Sequence, residues 1–161
     1  MNRKNVGAIL EELSNACQES HDLFSTWADK STEEEERQLL SYRANRYADN
    51  QDELEQMRER FGDMSCNGPE LQASPESRWA VLRKRIAGMA KRDVLRACEA
   101  QDSRVLVMYR DSFEYELPVP VAFCVARQFG ELIDHHARLQ RLQAAATPST
   151  PAGRLALSAQ V

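Results

Sequence analysis

Residues 93–142 read as two amphipathic helical segments, Asp93 to Glu114 and Pro118 to Gln143, joined by the short Tyr115-Glu116-Leu117 link. No other stretch limits the fold as much. At about 100° per residue, Leu95, Cys98, Val105, Leu106, Tyr109 and Phe113 share one face of the first segment, and Asp102 sits in the middle of that face. The second segment repeats the pattern with Val121, Val125, Phe129, Leu132, Leu139 and Leu142. Here Gln128 lies near the centre, and His135 and His136 straddle the edges. Two apolar faces that must meet each carry a polar intrusion, so the sequence predicts a packed helical hairpin with a polar layer inside it.

The N-terminal half supplies a second hairpin. Asn5 is a candidate N-cap for a helix from Val6 to about Asp29, whose inner face is Ile9, Leu10, Leu13, Ala16, Cys17, Phe24 and Trp27 with Ser20 near its middle. Glu19 and Asp22 point away from that face, and His21 reads as a solvent-edge residue. A second helix is expected after Lys30, with Ser31 or Thr32 as cap and Glu34 or Glu35 reaching back. The acidic run Glu33 to Glu36 then lies in its first turn, where the helix dipole favours negative charge. This helix runs to Phe61 and stops at Gly62, and its inward line is Leu40, Arg43, Tyr47, Asn50, Leu54, Met57 and Phe61. About 30 helical residues make a rod of ~45 Å.

Between the hairpins, Asp63 to Pro75 reads as loop, and Ser77 caps a short amphipathic helix from Arg78 to about Ala90 that carries Trp79, Leu82, Ile86 and Met89. Pro118 and Pro120 fall in the first turn of the last helix, where a missing N–H costs little. After Ala146 the pattern ends, leaving residues 147–161 as a flexible tail in which Leu155 and Leu157 are the apolar positions. Two long hairpins separated by a crossover of about 30 residues define an all-α, ferritin-like four-helix bundle over residues 1–146. No internal period suggests a helical repeat.

The chain also resembles a family of bacterial ferritin-like domains catalogued as a domain of unknown function. The resemblance is carried by Leu10-x-x-Leu13 followed by Phe24-x-x-x-Ala28, by Trp79 in the crossover, and by Cys98-Glu99-x-x-Asp102 followed by Tyr109. It continues through Leu117-Pro118, Gln128-x-x-Glu131 and His136-x-x-Leu139, and so covers nearly everything from Val6 to Leu142. It implies the bundle fold and a bacterial origin, and no established reaction; fold alone does not confer function.

A di-iron carboxylate bundle takes one Glu from each of two helices and a Glu-x-x-His from each of the other two. Measured against that requirement, the first helix offers only Ser20, the second offers Arg43 and Asn50 and no histidine, the third Asp102 with Glu99 at its margin, and the fourth Gln128 with Glu131 and His136 at its margins. No firm metal set results. The residues that iron or manganese would draw on are Glu99, Asp102, Glu131 and His136. The expected alternative is a polar core layer of Ser20, Arg43, Asn50, Asp102 and Gln128, in which Asp102 bonds Gln128, Arg43, Tyr47 or a histidine, because a buried charge must be paired. Adjacent His135 and His136 diverge by about 100° on a helix and cannot chelate one ion together.

Composition narrows the function classes. The chain has 161 residues with 42% hydrophobic and 29% charged content, in the range of a globular domain rather than a disordered one. The segment around the N-terminus has no secretory pattern and no apolar run is long enough to span a bilayer, so a cytoplasmic protein without a membrane span is expected. Cys17, Cys66, Cys98 and Cys124 show no Cys-x-x-Cys spacing, and no disulfide or thiol chemistry is expected of them. Residues 1–68 carry 8 Lys/Arg against 15 Asp/Glu and residues 69–161 carry 13 against 10, an asymmetry that bears on association rather than on fold. The basic segment Arg78 to Arg92 has one aromatic residue and no second basic cluster, and nucleic-acid binding is not expected. With no nucleophile, phosphate loop or complete ligand set, the leading reading is a non-enzymatic scaffold or protein-interaction module that binds a protein partner or itself. An unusual carboxylate/histidine metal bundle is the alternative.

Overall fold

A computed structural model of the chain describes residues 2–69 and 91–146. The expected crossover helix with Trp79, and the tail from residue 147, lie outside the described residues. Four long helices carry the fold: α1 (Val6–Lys30), α2 (Glu34–Phe61), α3 (Lys91–Ser112) and α4 (Val119–Ala146). α1 packs most extensively on α2 and α3 on α4, so the two hairpins read from the sequence are the two halves of the bundle. The core runs the length of all four helices, from Val6, Leu10 and Val121 through Leu13, Leu54, Val125 and Val105 to Leu23, Leu40, Leu95 and Leu139.

Two short strands were not expected. β1 (Asn2–Asn5) pairs antiparallel with β2 (Ser65–Gly68), Lys4 opposite Cys66, inside the stretch that reads as loop. The ribbon ties three chain segments together at one end of the bundle. The Val6 amide donates to Met64 O at 2.8 Å and the Gly7 amide to Gly62 O at 3.1 Å, which satisfies N–H groups that the start of α1 would otherwise leave unpaired. The Asn5 side chain caps the same turn, accepting from Gly7 N at 2.7 Å. On the other side of the ribbon, Glu116 N donates to Asn67 O at 2.9 Å and Tyr115 Oη to Pro69 O at 3.0 Å, so the α3–α4 turn is fixed to the start of the crossover.

The α1–α2 turn also differs from the expectation. Ser31 terminates α1 rather than opening α2, and the N-cap of α2 is Glu33, whose side chain makes no cap bond. The Ser31 hydroxyl instead donates to Glu36 Oε1 at 3.0 Å, and Trp27 Nε1 donates to the same oxygen at 3.1 Å. Glu36 is therefore buried, at 1% exposure, while Glu34 and Glu35 stay in solvent as dipole-favoured first-turn acids. Phe113, expected on the inner face of α3, follows the last helical residue and is exposed, resting edge-on against half-buried Phe129 with ring centroids 5.8 Å apart.

Candidate functional site

The centre of the bundle is a charged layer. Arg43 of α2 and Asp102 of α3 are 0% and 1% exposed, and the guanidinium Nη2 donates to Asp102 Oδ1 at 2.5 Å. The Tyr47 hydroxyl, one turn along α2, donates to the same oxygen. Arg43 also lies over two rings, Phe24 with 5.4 Å and Tyr47 with 4.9 Å from Cζ to the ring centroid, so its flat faces meet π-systems where water would otherwise be. On the far side of the carboxylate, His136 Nδ1 sits 3.4 Å from Asp102 Oδ2, close enough to attract but without hydrogen-bond alignment. Burial pushes the Asp102 carboxyl up, yet His136, Arg43 and Tyr47 outweigh it and hold the group below the ordinary carboxylate range. Asp102 is thus an anion held in place by a cation. Buried Arg43 Nε and Nη1 have no hydrogen-bond partner among the described residues, so the pair is not fully satisfied there.

Gln128 does not join Asp102, as the sequence allowed; it organises a second layer nearer the ribbon. Its Oε1 accepts from Tyr109 Oη at 2.7 Å, and its Nε2 donates to Glu53 Oε1 at 2.8 Å and to Asn50 O at 3.3 Å. Tyr109 Oη in turn contacts Cys17 Sγ at 3.3 Å. Burial raises the Cys17 thiol to about 12, against smaller lowering effects of Tyr109 and Arg43, so the sulfur is protonated and inert at neutral pH. All four cysteines are free and buried. Asn50 is buried, with neither side-chain polar atom partnered among the described residues. Ser20 bonds its own helix at Ala16 O, 2.8 Å away, and accepts from Gln101 Nε2 at 3.0 Å.

The residues considered for a metal are spread apart. Asp102 and His136 are neighbours. Glu99 lies at the bundle edge, accepting from Gln140 Nε2 at 3.2 Å, and Glu131 is engaged by Arg46 at 2.8 Å and Arg127 at 3.5 Å. Both glutamates are taken up by cations or amides outside the central layer. His135, rather than an edge residue, is 7% exposed, with its ring 5.1 Å from that of Tyr42. Burial first, then Arg43 and Arg138, depress its basicity. His21 is half-buried, its Nδ1 2.8 Å from Ala44 O, and Glu19 reaches Arg104 of α3 at 2.5 Å instead of standing free in solvent. Among the described residues no three His, Cys, Asp or Glu side chains converge on a possible metal position. A di-metal centre needs several carboxylates around an open position. Here Arg43 covers Asp102, the central carboxylate among the described residues, so the donor set does not fit the group.

The sequence reading missed Glu36 and Glu53. Glu36 belongs to a run of four acids that looks like a solvated first turn, and its signal was the inward phase it shares with Leu40 and Arg43. Glu53 lies one position before buried Leu54 and became a layer member because Gln128 reaches it.

Four helices in two antiparallel hairpins, a long crossover between them and no helix long and apolar enough to cross a membrane among the described residues define a ferritin-like all-α bundle. No protein-family model matches the chain, and no curated protein matches it. Among solved structures it is similar to a candidate ferritin-like diiron-carboxylate protein of Thermotoga maritima, with a TM-score of 0.73 and 12% sequence identity over 91% of this chain and 99% of that one. At that identity the likeness shows the fold. It adds nothing to the narrower resemblance to the bacterial family of unknown function.

Proposed function

We propose that this chain is a non-enzymatic ferritin-like bundle with an arginine–aspartate pair at its centre, and that it works through its outer faces as a scaffold or protein-interaction module. The observation that carries this reading is the fully buried Arg43 guanidinium bonded to Asp102. A bundle interior that gathers carboxylates needs a cation, and Arg43 meets that need from within the chain. Among the described residues the remaining groups of the two layers are amides, hydroxyls, an inert thiol, the Glu53 carboxylate held by Gln128 and Arg127, and His136 beside Asp102, and none of them is a nucleophile open to a substrate.

The alternative, an iron- or manganese-binding carboxylate/histidine bundle, draws on two facts: the unaligned Asp102–His136 contact, and the diiron-carboxylate description of the Thermotoga maritima protein. Metal analysis separates the two. Protein purified without chelator and then reconstituted with iron(II), manganese(II) or zinc is expected to retain well under one equivalent, unchanged in Asp102→Ala. Stoichiometric metal that disappears in Asp102→Ala would overturn the proposal.

A further inference from the structure

Asp102 presents one carboxylate oxygen to the buried cation and the other to the bundle edge. Oδ2 of Asp102 and Nδ1 of His136 are both buried, both lack a hydrogen-bond partner among the described residues, and face each other 3.4 Å apart. The other imidazole nitrogen, Nε2, lies 3.4 Å from the hydroxyl of exposed Ser103. Consecutive helical residues diverge by about 100°, so α3 sends the Asp102 carboxylate inward and the Ser103 hydroxyl outward, and His136 of α4 lies across both. The charge on Asp102 selects the tautomer. An ionised carboxylate only accepts, which favours a proton on Nδ1, so Nε2 is the acceptor and the Ser103 hydroxyl donates to it. Arg43 and Tyr47 hold Asp102 from behind, through Oδ1. The sequence of roles is hydroxyl, imidazole, buried carboxylate, a constellation defined by geometry and not by chain order. Both 3.4 Å contacts are long, and contacts of this kind tighten when an imidazolium forms beside the carboxylate.

The surface beside Ser103 is apolar. The Ser103–His136 and Phe113–Phe129 contacts mark two levels of the groove between α3 and α4, and Leu106 and Ile133 fall between them at helical spacing. Ile133 is 46% exposed and Phe113 41%, so an alkyl or aryl group can lie along the groove next to the hydroxyl. The helices also limit the chemistry. Ser103 and His136 both sit in helix interiors, where backbone N–H groups are engaged by the helical ladder, so no pair of main-chain amides is free to stabilise an oxyanion at this place. The reaction open to such a serine is acyl transfer from a donor whose leaving group needs little help.

We infer that Ser103 is an acyl-accepting nucleophile, with His136 as its base and Asp102 as a positioning residue, for activated carboxylic esters that carry an apolar acyl group. Ser103 Oγ attacks the acyl carbon and its proton moves to His136 Nε2; the new Oγ–C bond forms, the bond from carbon to the leaving oxygen breaks, and His136 returns the proton to that oxygen. Asp102 stays ionised throughout. One acyl group transferred onto the protein is a modification and not turnover, so the inference goes beyond the proposed function without depending on it. The full chain incubated with 4-nitrophenyl butyrate is expected to release one equivalent of 4-nitrophenol and to gain one butyryl group, which peptide mass spectrometry places on Ser103. Ser103→Ala is expected to abolish that modification and His136→Gln to slow it at least tenfold, both with unchanged helical circular dichroism. The role of Asp102 is read separately from nitrogen-15 shifts of the His136 ring, which should report the Nδ1–H tautomer in the wild type and a mixture of tautomers in Asp102→Asn. Labelling confined to lysine or cysteine side chains, or a Ser103 rate that ignores His136→Gln, overturns the inference. An Nε2–H tautomer in the wild type overturns it too. Repeated turnover that needs Ser103 and His136 would sink the non-enzymatic reading and leave the activated serine standing.

Discussion

Removing one member of the buried pair should be far more damaging than removing both. In Arg43→Met the Asp102 carboxylate keeps the Tyr47 hydroxyl but loses its cation, in a site where the aspartate is 1% exposed. Leaving a buried charge unpaired costs about 3–5 kcal/mol. Because both groups are fully buried, no solvent screening reduces that figure, and for a domain of this size it corresponds to a fall in melting temperature of roughly 6–20 °C. Asp102→Leu, which strands Arg43, should lie in the same range. The double variant Arg43→Met/Asp102→Leu should recover most of the loss, since an apolar pair of similar volume often replaces a buried ion pair at little cost. Urea unfolding followed by circular dichroism measures the whole cycle. The pH dependence adds a sign. In the wild type the Asp102 carboxyl titrates below its ordinary range, so the stability it contributes is present above about pH 4 and is lost as pH falls through the lower folded value. In Arg43→Met, burial without the cation raises that carboxyl, so the stability gap between this variant and the wild type should narrow as pH falls from 8 toward 5. Additive single effects below about 1 kcal/mol, or a gap that widens over that range, would refute the argument.

Three further outcomes follow from the layers and the ribbon. Gln128→Leu cuts the bonds to Tyr109 and Glu53 and should cost about 1–3 kcal/mol in urea unfolding. An effect near zero would show that the second layer is not holding α2, α3 and α4 together. His135 is depressed by burial and by Arg43 and Arg138, so the unfolded chain binds its proton first; stability should fall as pH drops below about 6.5 and continue falling to the lower folded value. His135→Leu should flatten that part of the pH–stability curve, and an unchanged curve would assign the dependence elsewhere. A methyl group at Gly68 would overlap the Tyr115 ring and strain the link between ribbon and α3–α4 turn, so Gly68→Ala should destabilise by about 1–3 kcal/mol. Gly130→Ala, whose added methyl meets nothing within 4 Å, should instead stabilise by up to about 1 kcal/mol; thermal unfolding of the two variants side by side reads the contrast.

The helices were legible because their cause is local and periodic. The inward lines of α1 and α2 recur at helical spacing, and the breaks at Lys30, Gly62 and the Tyr115 link carry their own turn residues. The ribbon was not legible, because Asn2–Asn5 and Ser65–Gly68 have no alternating pattern and become strands only by pairing across some 60 residues. Asp102 and Arg43 could be placed on inner faces by phase, whereas their bond depends on how the two hairpins dock, which phase does not encode. The same holds for Gln128: its position was readable, but its choice of Tyr109 and Glu53 over Asp102 is set by the axial offset of α4 against α2. Glu36 shows the reverse failure, where a strong local rule for first-turn acids concealed an inward residue in the same run.

The central claim is that the cation at the heart of this bundle is Arg43. It is tested most directly by following the guanidinium resonances of nitrogen-15-arginine-labelled protein during a manganese(II) titration. Slowly exchanging Arg43 signals, lost in Arg43→Met and still sharp at one equivalent of manganese, are the predicted result. Selective broadening of those signals at or below one equivalent, abolished by Asp102→Ala, would place a metal at the centre and contradict the account.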